Sequence, residues 1–441
     1  MQRHDMTQGG IARTLIAFSL PLMLSGVLQQ LYSWADALIV GNVVGEGALA
    51  AVGATGSVVH LFLSLVMGFS VGVSILSAQA TGQGDPVLVN RLASLFLLLI
   101  GGLALAMAGC GGLLTDPILR AMDTPADILA DAALYLRIIL AGVPFMGIYN
   151  VYTAVLRGIG DSRTPMWSIV VSSVGNVALD LLFVAGWGWG VGGAALATVL
   201  SQAAMTVYVA VISAKKHPEL RVRLSRDIFD RELLARGMRL SLPTAVQSGV
   251  LSVGSLMLQN IVNSFGTQTV AAVTTAYRID TIGLLPAIQL GAGITTFTAQ
   301  NEGAGNRDRV RRGIKAGVPL SAAAALSTTA VIIFFGRPLL ALFGLSDESV
   351  AIGYAILIRL AAFYPLFGPM NALTGYLQGI GDVSFASGIT TAALAVRIGA
   401  SYLLTPYLGN RVIAYAEALS WVFQTLACLW RMRRQSVRGE T

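Results

Sequence analysis

The stretch Leu156–Asp161 reads LRGIGD, and Leu377–Asp382 reads LQGIGD 221 positions later. Other matches share this spacing or differ from it by one position. They pair Ala78-Gln79 with Ala299-Gln300, Pro117 with Pro338, Pro144 with Pro365, and Ser19-Leu20-Pro21 with Ser241-Leu242-Pro243. Self-similarity over half of a chain indicates a duplicated structural unit. The sequence therefore predicts two similar halves joined by the polar stretch around residues 215–236.

The chain between these motifs is strongly apolar. Hydrophobic residues make up 55% and charged residues 12%, and the mean hydropathy is +0.72. Soluble domains carry about twice that charged fraction, so the composition excludes a cytosolic enzyme and a nucleic-acid-binding protein. Apolar runs of about 20 residues span a bilayer as helices. Twelve such runs lie at 14–40, 50–77, 91–114, 131–155, 165–187, 190–213, 237–263, 270–297, 315–335, 351–376, 384–404 and 411–431.

The loops between these runs alternate in charge. One set contains 22 of the 29 basic residues. It comprises Arg3, Arg13, Arg91, Arg157, Arg163 and the stretches 215–239, 307–315 and 431–438. The opposite set contains only Arg120, Arg337 and Arg411. Because positive loops stay in the cytoplasm, both termini are predicted to be cytoplasmic, and the net charge of +7 reflects topology.

These observations together predict the fold class and the domains. We expect an all-α integral membrane protein with twelve transmembrane helices in two six-helix bundles. The N-terminal bundle covers 1–214, a cytoplasmic linker covers 215–236, and the C-terminal bundle with a basic cytoplasmic tail covers 237–441. Six is an even number, so both halves enter the membrane from the same side. Parallel repeats of this kind occur in secondary transporters that rock two bundles around a central cavity.

The first span contains a carboxylate in the run Tyr32–Gly41, which reads YSWADALIVG. A charge at this depth costs about 3 kcal/mol or more if it faces lipid, so Asp36 is expected to face protein or a watery cavity. In the fifth span Asn176 and Asp180 are four residues apart and share one helix face. Thr198 lies in the sixth span. At 1.5 Å per residue the depths of these side chains agree within a few ångströms, which brings all four together in the outer half of the first bundle.

The chemistry of this polar set suits a cation. Two carboxylates, an amide carbonyl and a hydroxyl are hard oxygen ligands of the kind that a small hard cation prefers. Without a cation the two like charges repel each other, and the pair would instead hold a proton. The residue types alone do not distinguish Na⁺ from H⁺ as the coupling ion.

The second half does not repeat the acidic set. The positions equivalent to Asn176 and Asp180 are Arg397 and Ser401, so coupling is predicted in the N-terminal half alone. Glu417 is interpreted as the one deep acid of the second half. Arg397 on the neighbouring span is its predicted ion-pair partner, and this role is favoured over one in transport.

The chain lacks the usual signatures of catalysis. It has no GxxxxGK[ST] loop, which argues against an ATP site. Its three histidines, His4, His60 and His217, have no metal-ligand spacing, and no nucleophile with a neighbouring base stands out. The sequence therefore does not indicate an enzyme, and we expect no cofactor other than a coupling ion.

Several of these motifs resemble the MATE family (multidrug and toxic compound extrusion). They are Pro21, Tyr32, Asp36 and Gly41 of the first span, with the RGIGD loop at 157–161 and its QGIGD echo at 378–382. The resemblance covers essentially the whole chain. It implies a secondary active antiporter in which Na⁺ or H⁺ flows in while a drug-like compound is expelled by alternating access. It also implies a multi-pass protein of a prokaryotic plasma membrane, the inner membrane if the cell is Gram-negative.

The resemblance also assigns site residues. Asp36, Asn176, Asp180 and Thr198 match the family's cation-site pattern in the N-terminal lobe, and they would be the metal ligands if Na⁺ is the coupling ion. The branch with acids on spans seven and ten is less similar, because this chain offers Gln247 and Gln259 instead.

For the substrate, the resemblance implies a bulky organic cation. Tyr32, one turn before Asp36, and Asn150 are candidates to line its cavity. Pro21 has no N–H to donate, and we hypothesise that the first helix bends there when Asp36 is neutralised. The expected partners are the small-molecule substrate and the lipid bilayer, without nucleic acid, and the expected state is a monomer.

Two alternatives are weighed against this reading. The first is a flippase of lipids or lipid-linked precursors, but the inferred cavity charge is acidic, which disfavours an anionic headgroup. The second is a membrane-embedded enzyme, which would need a His, Cys or metal cluster in the spans.

Overall fold

The computed structural model describes residues 5–222 and 230–437. The predicted linker at 215–236 falls partly outside these residues, and the end of the basic tail falls entirely outside them. So do Arg3 and Arg438 of the predicted cytoplasmic set. Within the described ranges the regular structure is helical throughout, with no β-strand.

Thirteen α-helices make up the described chain. They are α1 Ile11–Val43, α2 Glu46–Gly82, α3 Pro86–Ala121, α4 Leu129–Gly158, α5 Arg163–Asp180, α6 Gly190–Lys216, α7 Arg231–Asn263, α8 Thr267–Gly303, α9 Arg307–Ala341, α10 Asp347–Ala361, α11 Tyr364–Gly379, α12 Val383–Leu408 and α13 Val412–Val437. A π-helix, Leu181–Gly186, continues α5, and short 3₁₀ turns follow α6 at Pro218–Leu220 and α12 at Gly409–Arg411.

These helices confirm the predicted twelve-span layout. Ten of the predicted spans each lie in one helix to within a residue or two, whereas the fifth continues from α5 into the π-helix and the tenth is divided between α10 and α11. The last three spans are less regular than most of the others. Helices α10 and α11 together form the tenth span, which bends by 52° where Pro365 in the first turn of α11 cannot donate a backbone hydrogen bond. The apolar stretch Val383–Gln435 is long enough for two spans, and it divides into α12 and α13 at Gly409, whose φ of 55° suits glycine.

The chain divides into two compact units. Unit 1 comprises Leu24–Ala245, and unit 2 comprises Gln2–Met23 and Val246–Thr441. The predicted boundaries at 214 and 237 keep α1 and α7 whole, whereas the contacts divide both helices between the units. The first part of α1 belongs to unit 2, and the first part of α7 belongs to unit 1.

Glycine residues explain why the first parts of α1 and α7 each pack with the other half of the chain. In unit 1 a side chain at Gly72 of α2 would clash with Ser241 of α7, and in unit 2 a side chain at Gly293 of α8 would clash with Ser19 of α1. Glycine permits such close approach of two helix backbones. The two contacts occupy equivalent positions of the repeat. Each unit therefore packs the beginning of one half's first helix against the second helix of the other half.

Candidate functional site

The structure brings the predicted polar set together inside unit 1. Asp36 of α1 and Asp180 at the end of α5 lie close enough for their carboxyl groups to interact directly. Asn176 lies one turn before Asp180, and both side chains are fully buried. Thr198 of α6 is buried as well, and its hydroxyl lies beside that of Tyr32. Asp36 and Tyr32 are half-buried.

Most polar atoms of this set have no hydrogen-bond partner among the described residues. Both carboxylate oxygens of Asp180, both amide atoms of Asn176 and Oδ1 of Asp36 are buried and unpartnered. An unsatisfied buried polar group costs about 1–3 kcal/mol, and more if it is charged. Two ionised carboxylates cannot satisfy each other, because each only accepts hydrogen bonds. The set therefore requires a proton, a cation or water that the protein's own side chains do not supply.

The backbone changes its helical form at Asp180. The α-helix ends there and continues as the π-helix Leu181–Gly186, and the amide of Trp187 donates to the carbonyl of Leu182 at 2.9 Å, five residues back. The wider turn rotates the residues that follow relative to a continuous α-helix. Single π-turns within α-helices are frequent at functional sites.

An apolar cluster lies next to the acid pair. It includes Val40, one turn after Asp36, and Val184, one turn after Asp180, together with Val199 beside Thr198. Such a wall lowers the local dielectric, which strengthens every electrostatic interaction of the carboxylates.

Tyr135 of α4 belongs to this site, and the sequence analysis missed it. Its side chain is 9% exposed, and its phenol lies within the electrostatic range of Asp36, Asp180 and Tyr32. The sequence does contain a signal. Tyr135 lies six residues into α4 and Thr198 eight residues into α6. The two side chains are therefore expected at similar depths in the membrane, as are the others of the set.

The structure does not bring Asn150 to the acid pair. The Asn150 side chain is buried and donates to the carbonyl of Met146 on its own helix at 2.8 Å. It lies 15 residues after Tyr135 on α4, which is about 22 Å along the helix axis. Its role in a substrate cavity stays a prediction.

Pro21 lies within the uninterrupted helix α1, in the part that belongs to unit 2. The helix continues through it without a break. Its role as a bending point stays a prediction.

The ligand atoms of the polar set around Asp36 limit the ions that this site could bind. The described part of the chain has no group of three or more His, Cys, Asp or Glu side chains placed to hold a metal ion. The set around Asp36 offers two carboxylates, an amide and a hydroxyl instead. These oxygens suit a weakly held Na⁺ ion or a proton, and they lack the nitrogen and sulfur ligands that transition metals prefer.

Unit 2 contains a second buried charged set. Arg397 of α12 donates to Glu417 Oε2 of α13 and to the Tyr277 hydroxyl of α8, each at 2.9 Å. The predicted ion pair of Arg397 and Glu417 is therefore confirmed.

Glu417 is not the one deep acid of the second half, which corrects the sequence-based interpretation. Asp280 of α8 is also 8% exposed, and it accepts a hydrogen bond from Tyr364 of α11. The pattern was hard to interpret because Arg278 lies only two positions away. On a helix such neighbours point to different sides, so a charged Arg278 does not place Asp280 at the surface.

Comparisons with known proteins agree with the repeat and the fold. A model of the MatE family matches residues 21–182 and again 243–403, which corresponds to the internal repeat. The chain is 30% identical over 428 residues to "Probable multidrug resistance protein YpnP" of Bacillus subtilis (strain 168), covering 97% of this chain and 96% of the relative.

Two solved structures are similar over nearly the full length. "Crystal structure of MATE in the straight conformation" has a TM-score of 0.92 at 26% identity and is covered completely. "Crystal structure of MATE in the bent conformation" has a TM-score of 0.90 at 26% identity, with 98% of this chain and 97% of that chain covered.

Proposed function

Since this chain belongs to the MATE family of multi-pass membrane transporters, we propose that it is a secondary active antiporter. It exports drug-like organic compounds, chiefly organic cations, in exchange for Na⁺ or H⁺ by alternating access. The observation that carries this proposal is the acid pair of unit 1, where five buried polar atoms of Asp36, Asn176 and Asp180 have no partner in the described chain.

The chemistry of coupling follows from that deficit. When a proton or Na⁺ occupies the pair, it neutralises one negative charge and satisfies the carboxylate oxygens. When the ion leaves, two like charges face each other beside an apolar wall, and an organic cation becomes a favourable partner. Tyr32 and Tyr135 next to the pair offer aromatic faces, which attract organic cations. Exchange of ion for substrate is thus a competition for the same negative charge.

The name of the Bacillus relative, a probable multidrug resistance protein, supports a drug-like substrate. We further propose that the chain acts as a monomer in a prokaryotic plasma membrane. The bend at Pro21 is part of the proposal, and it is supported by the similarity to MATE structures titled straight and bent. Structures of this protein at high and low pH, or with and without Na⁺, that show the same straight α1 would contradict the bend.

The proposal is tested with proteoliposomes loaded with ethidium. A Na⁺ gradient and a pH gradient are imposed separately on the wild type and on Asp180→Asn. Asp116→Asn is the matched control, since this acid is half exposed and paired with Arg137, and neither residue belongs to the acid pair.

We expect efflux under at least one gradient for the wild type and the control, and background efflux for Asp180→Asn. The gradient that drives efflux identifies the coupling ion. Wild-type liposomes that release no ethidium under either gradient would refute drug export and favour the lipid flippase. Full activity of Asp180→Asn would refute the assigned site.

A further inference from the structure

A polar cavity of about 120 Å³ lies in unit 2, at helix ends that the charge pattern assigns to the cytoplasmic side. Its walls come from the end of α8, the beginning of α9, the end of α11 and the last turns of α13. The polar lining residues are Glu302, Arg307, Arg311, Tyr376, Asp382 and Gln435. None of them belongs to the acid pair of unit 1, so the cavity is independent of the proposed coupling site.

Four charged side chains line the cavity, namely Arg307, Arg311, Glu302 and Asp382. Asp382 is already paired with Arg431, whose Nε lies 2.6 Å from its Oδ2, so the two arginines of α9 outnumber the one remaining acid. Arg307 and Arg311 lie one turn apart in the first turns of the helix and share one face, and both side chains are exposed. The beginning of a helix adds the positive end of its dipole. Two guanidinium groups on a helix N-terminus form a suitable surface for a phosphate, which accepts their hydrogen bonds.

The opposite wall contains a buried acceptor without a donor. Gln435 is 7% exposed, and its Nε2 donates to Asp382 Oδ2 at 3.0 Å. This bond fixes the orientation of the amide, because a carboxylate only accepts. Its Oε1 is buried and has no hydrogen-bond partner in the described part of the chain. A ligand that fits here therefore brings a hydroxyl or N–H donor as well as a negative charge.

The repeat provides a comparison for this cavity. In unit 1 the positions of Arg307 and Arg311 are taken by Pro86 and Asn90. Asn90 donates to the carbonyls of Glu219 and Arg221 at 2.7 and 2.8 Å. The chain itself is bound at this place in unit 1. At the equivalent positions of α9, unit 2 has two arginines instead.

We propose that the cavity binds a phosphate ester bearing a free hydroxyl, supplied by the headgroup of phosphatidylglycerol from the cytoplasmic leaflet. The phosphate accepts from Arg307 and Arg311, and a glycerol hydroxyl donates to Gln435 Oε1. The position at the helix ends favours a lipid source, since juxtamembrane arginines are drawn to anionic headgroups. A soluble phosphate ester has the same chemistry and is separated from the lipid by the experiment.

The test measures binding of a fluorescent phosphatidylglycerol to the purified full-length protein in detergent. The double variant Arg307→Gln/Arg311→Gln is compared with Arg312→Gln, an exposed arginine of the same helix that does not line the cavity. We expect the double variant to weaken binding about tenfold or more and the control to leave it unchanged. Unchanged melting temperature and ethidium efflux establish that the double variant is folded.

Three results would overturn the proposal. The first is equal binding by the double variant and the wild type. The second is displacement of the lipid by soluble glycerol 1-phosphate at comparable concentration, which would reassign the cavity to a free ester. The third is a marked gain in binding on removal of residues 438–441, which would make the tail the natural occupant. Phosphatidylmethanol carries the same phosphodiester charge but has no hydroxyl donor, so it is expected to bind more weakly to the wild type, and a Gln435→Met variant is expected to lose this discrimination.

Discussion

Each unit contains two carboxylates deep within its spans, and the two pairs differ in what surrounds them. In unit 2, Glu417 meets Arg397 and Tyr277, and Asp280 meets Tyr364. In unit 1, Asp180 meets Asp36 and no cationic side chain acts on it in the described chain. A carboxylate whose donors come from the protein is held by them in a fixed position. A carboxylate without donors must take them from outside, so the pair of unit 1 is suited to exchange and that of unit 2 to structure.

The strongest test of this contrast is Asp36→Asn. We expect coupled export to be abolished, because the neutral amide removes one of the two charges for which ion and substrate compete. Folding should be unaffected, since no described side chain hydrogen-bonds to the buried Oδ1 of Asp36. Drug resistance of cells expressing the variant, normalised to the amount of membrane protein, measures the effect. Undiminished resistance would contradict the assignment.

Glu417→Gln should have the opposite effect, a loss of stability without a loss of export. The substitution leaves the charge of Arg397 buried without its partner, which costs about 3–5 kcal/mol of stability. Thermal unfolding in detergent should detect this loss of stability. Efflux per folded molecule should remain at the wild-type value.

The double variant Arg397→Met/Glu417→Met separates charge from packing. It removes both charges at similar volume, so we expect it to regain most of the stability. Loss of efflux in this double variant, at wild-type stability, would show that the unit 2 pair takes part in transport.

Thr198→Val distinguishes the two candidate ions at the unit 1 pair. The hydroxyl can coordinate Na⁺ but is not needed to hold a proton between carboxylates. We therefore expect the ratio of Na⁺-driven to H⁺-driven efflux to fall about fivefold, equivalent to about 1 kcal/mol. Proteoliposomes with each gradient in turn provide the measurement. An equal loss under both gradients would assign Thr198 a role in packing.

Asp161 lies in the loop between α4 and α5, outside the spans, and it is partnered like the acids of unit 2. Burial alone would raise its pKa, but hydrogen bonds from His217 and Thr164 outweigh burial and hold the pKa well below its ordinary value. An acid with a lowered pKa stabilises the fold above its unfolded pKa, near 4, and this contribution is lost as the pH falls.

We therefore expect Asp161→Asn to cost about 2 kcal/mol at neutral pH and to cost progressively less below about pH 4. Unfolding of both proteins in detergent across the acidic range measures this difference. A cost that does not change with pH would indicate lost packing instead of lost charge.

The sequence by itself determined the spans, the repeat and most of the polar set. The bilayer requires about 20 apolar residues for each crossing, which makes every span visible as a run. The same apolar background exposes Asp36, Asn176 and Asp180, because polar groups are expensive there. The pair of Arg397 and Glu417 was predictable for the same reason.

Only the tertiary structure decided how the helices meet. The division of α1 and α7 between the units depends on close contacts at Gly72 and Gly293, and no local pattern distinguishes these glycines from the many others. Tyr135 joined the site and Asp280 was satisfied by Tyr364 because of the rotation of α4 and α8 about their axes. That rotation is set by side-chain packing between helices distant in sequence, whereas hydropathy depends only on residues that are close in sequence.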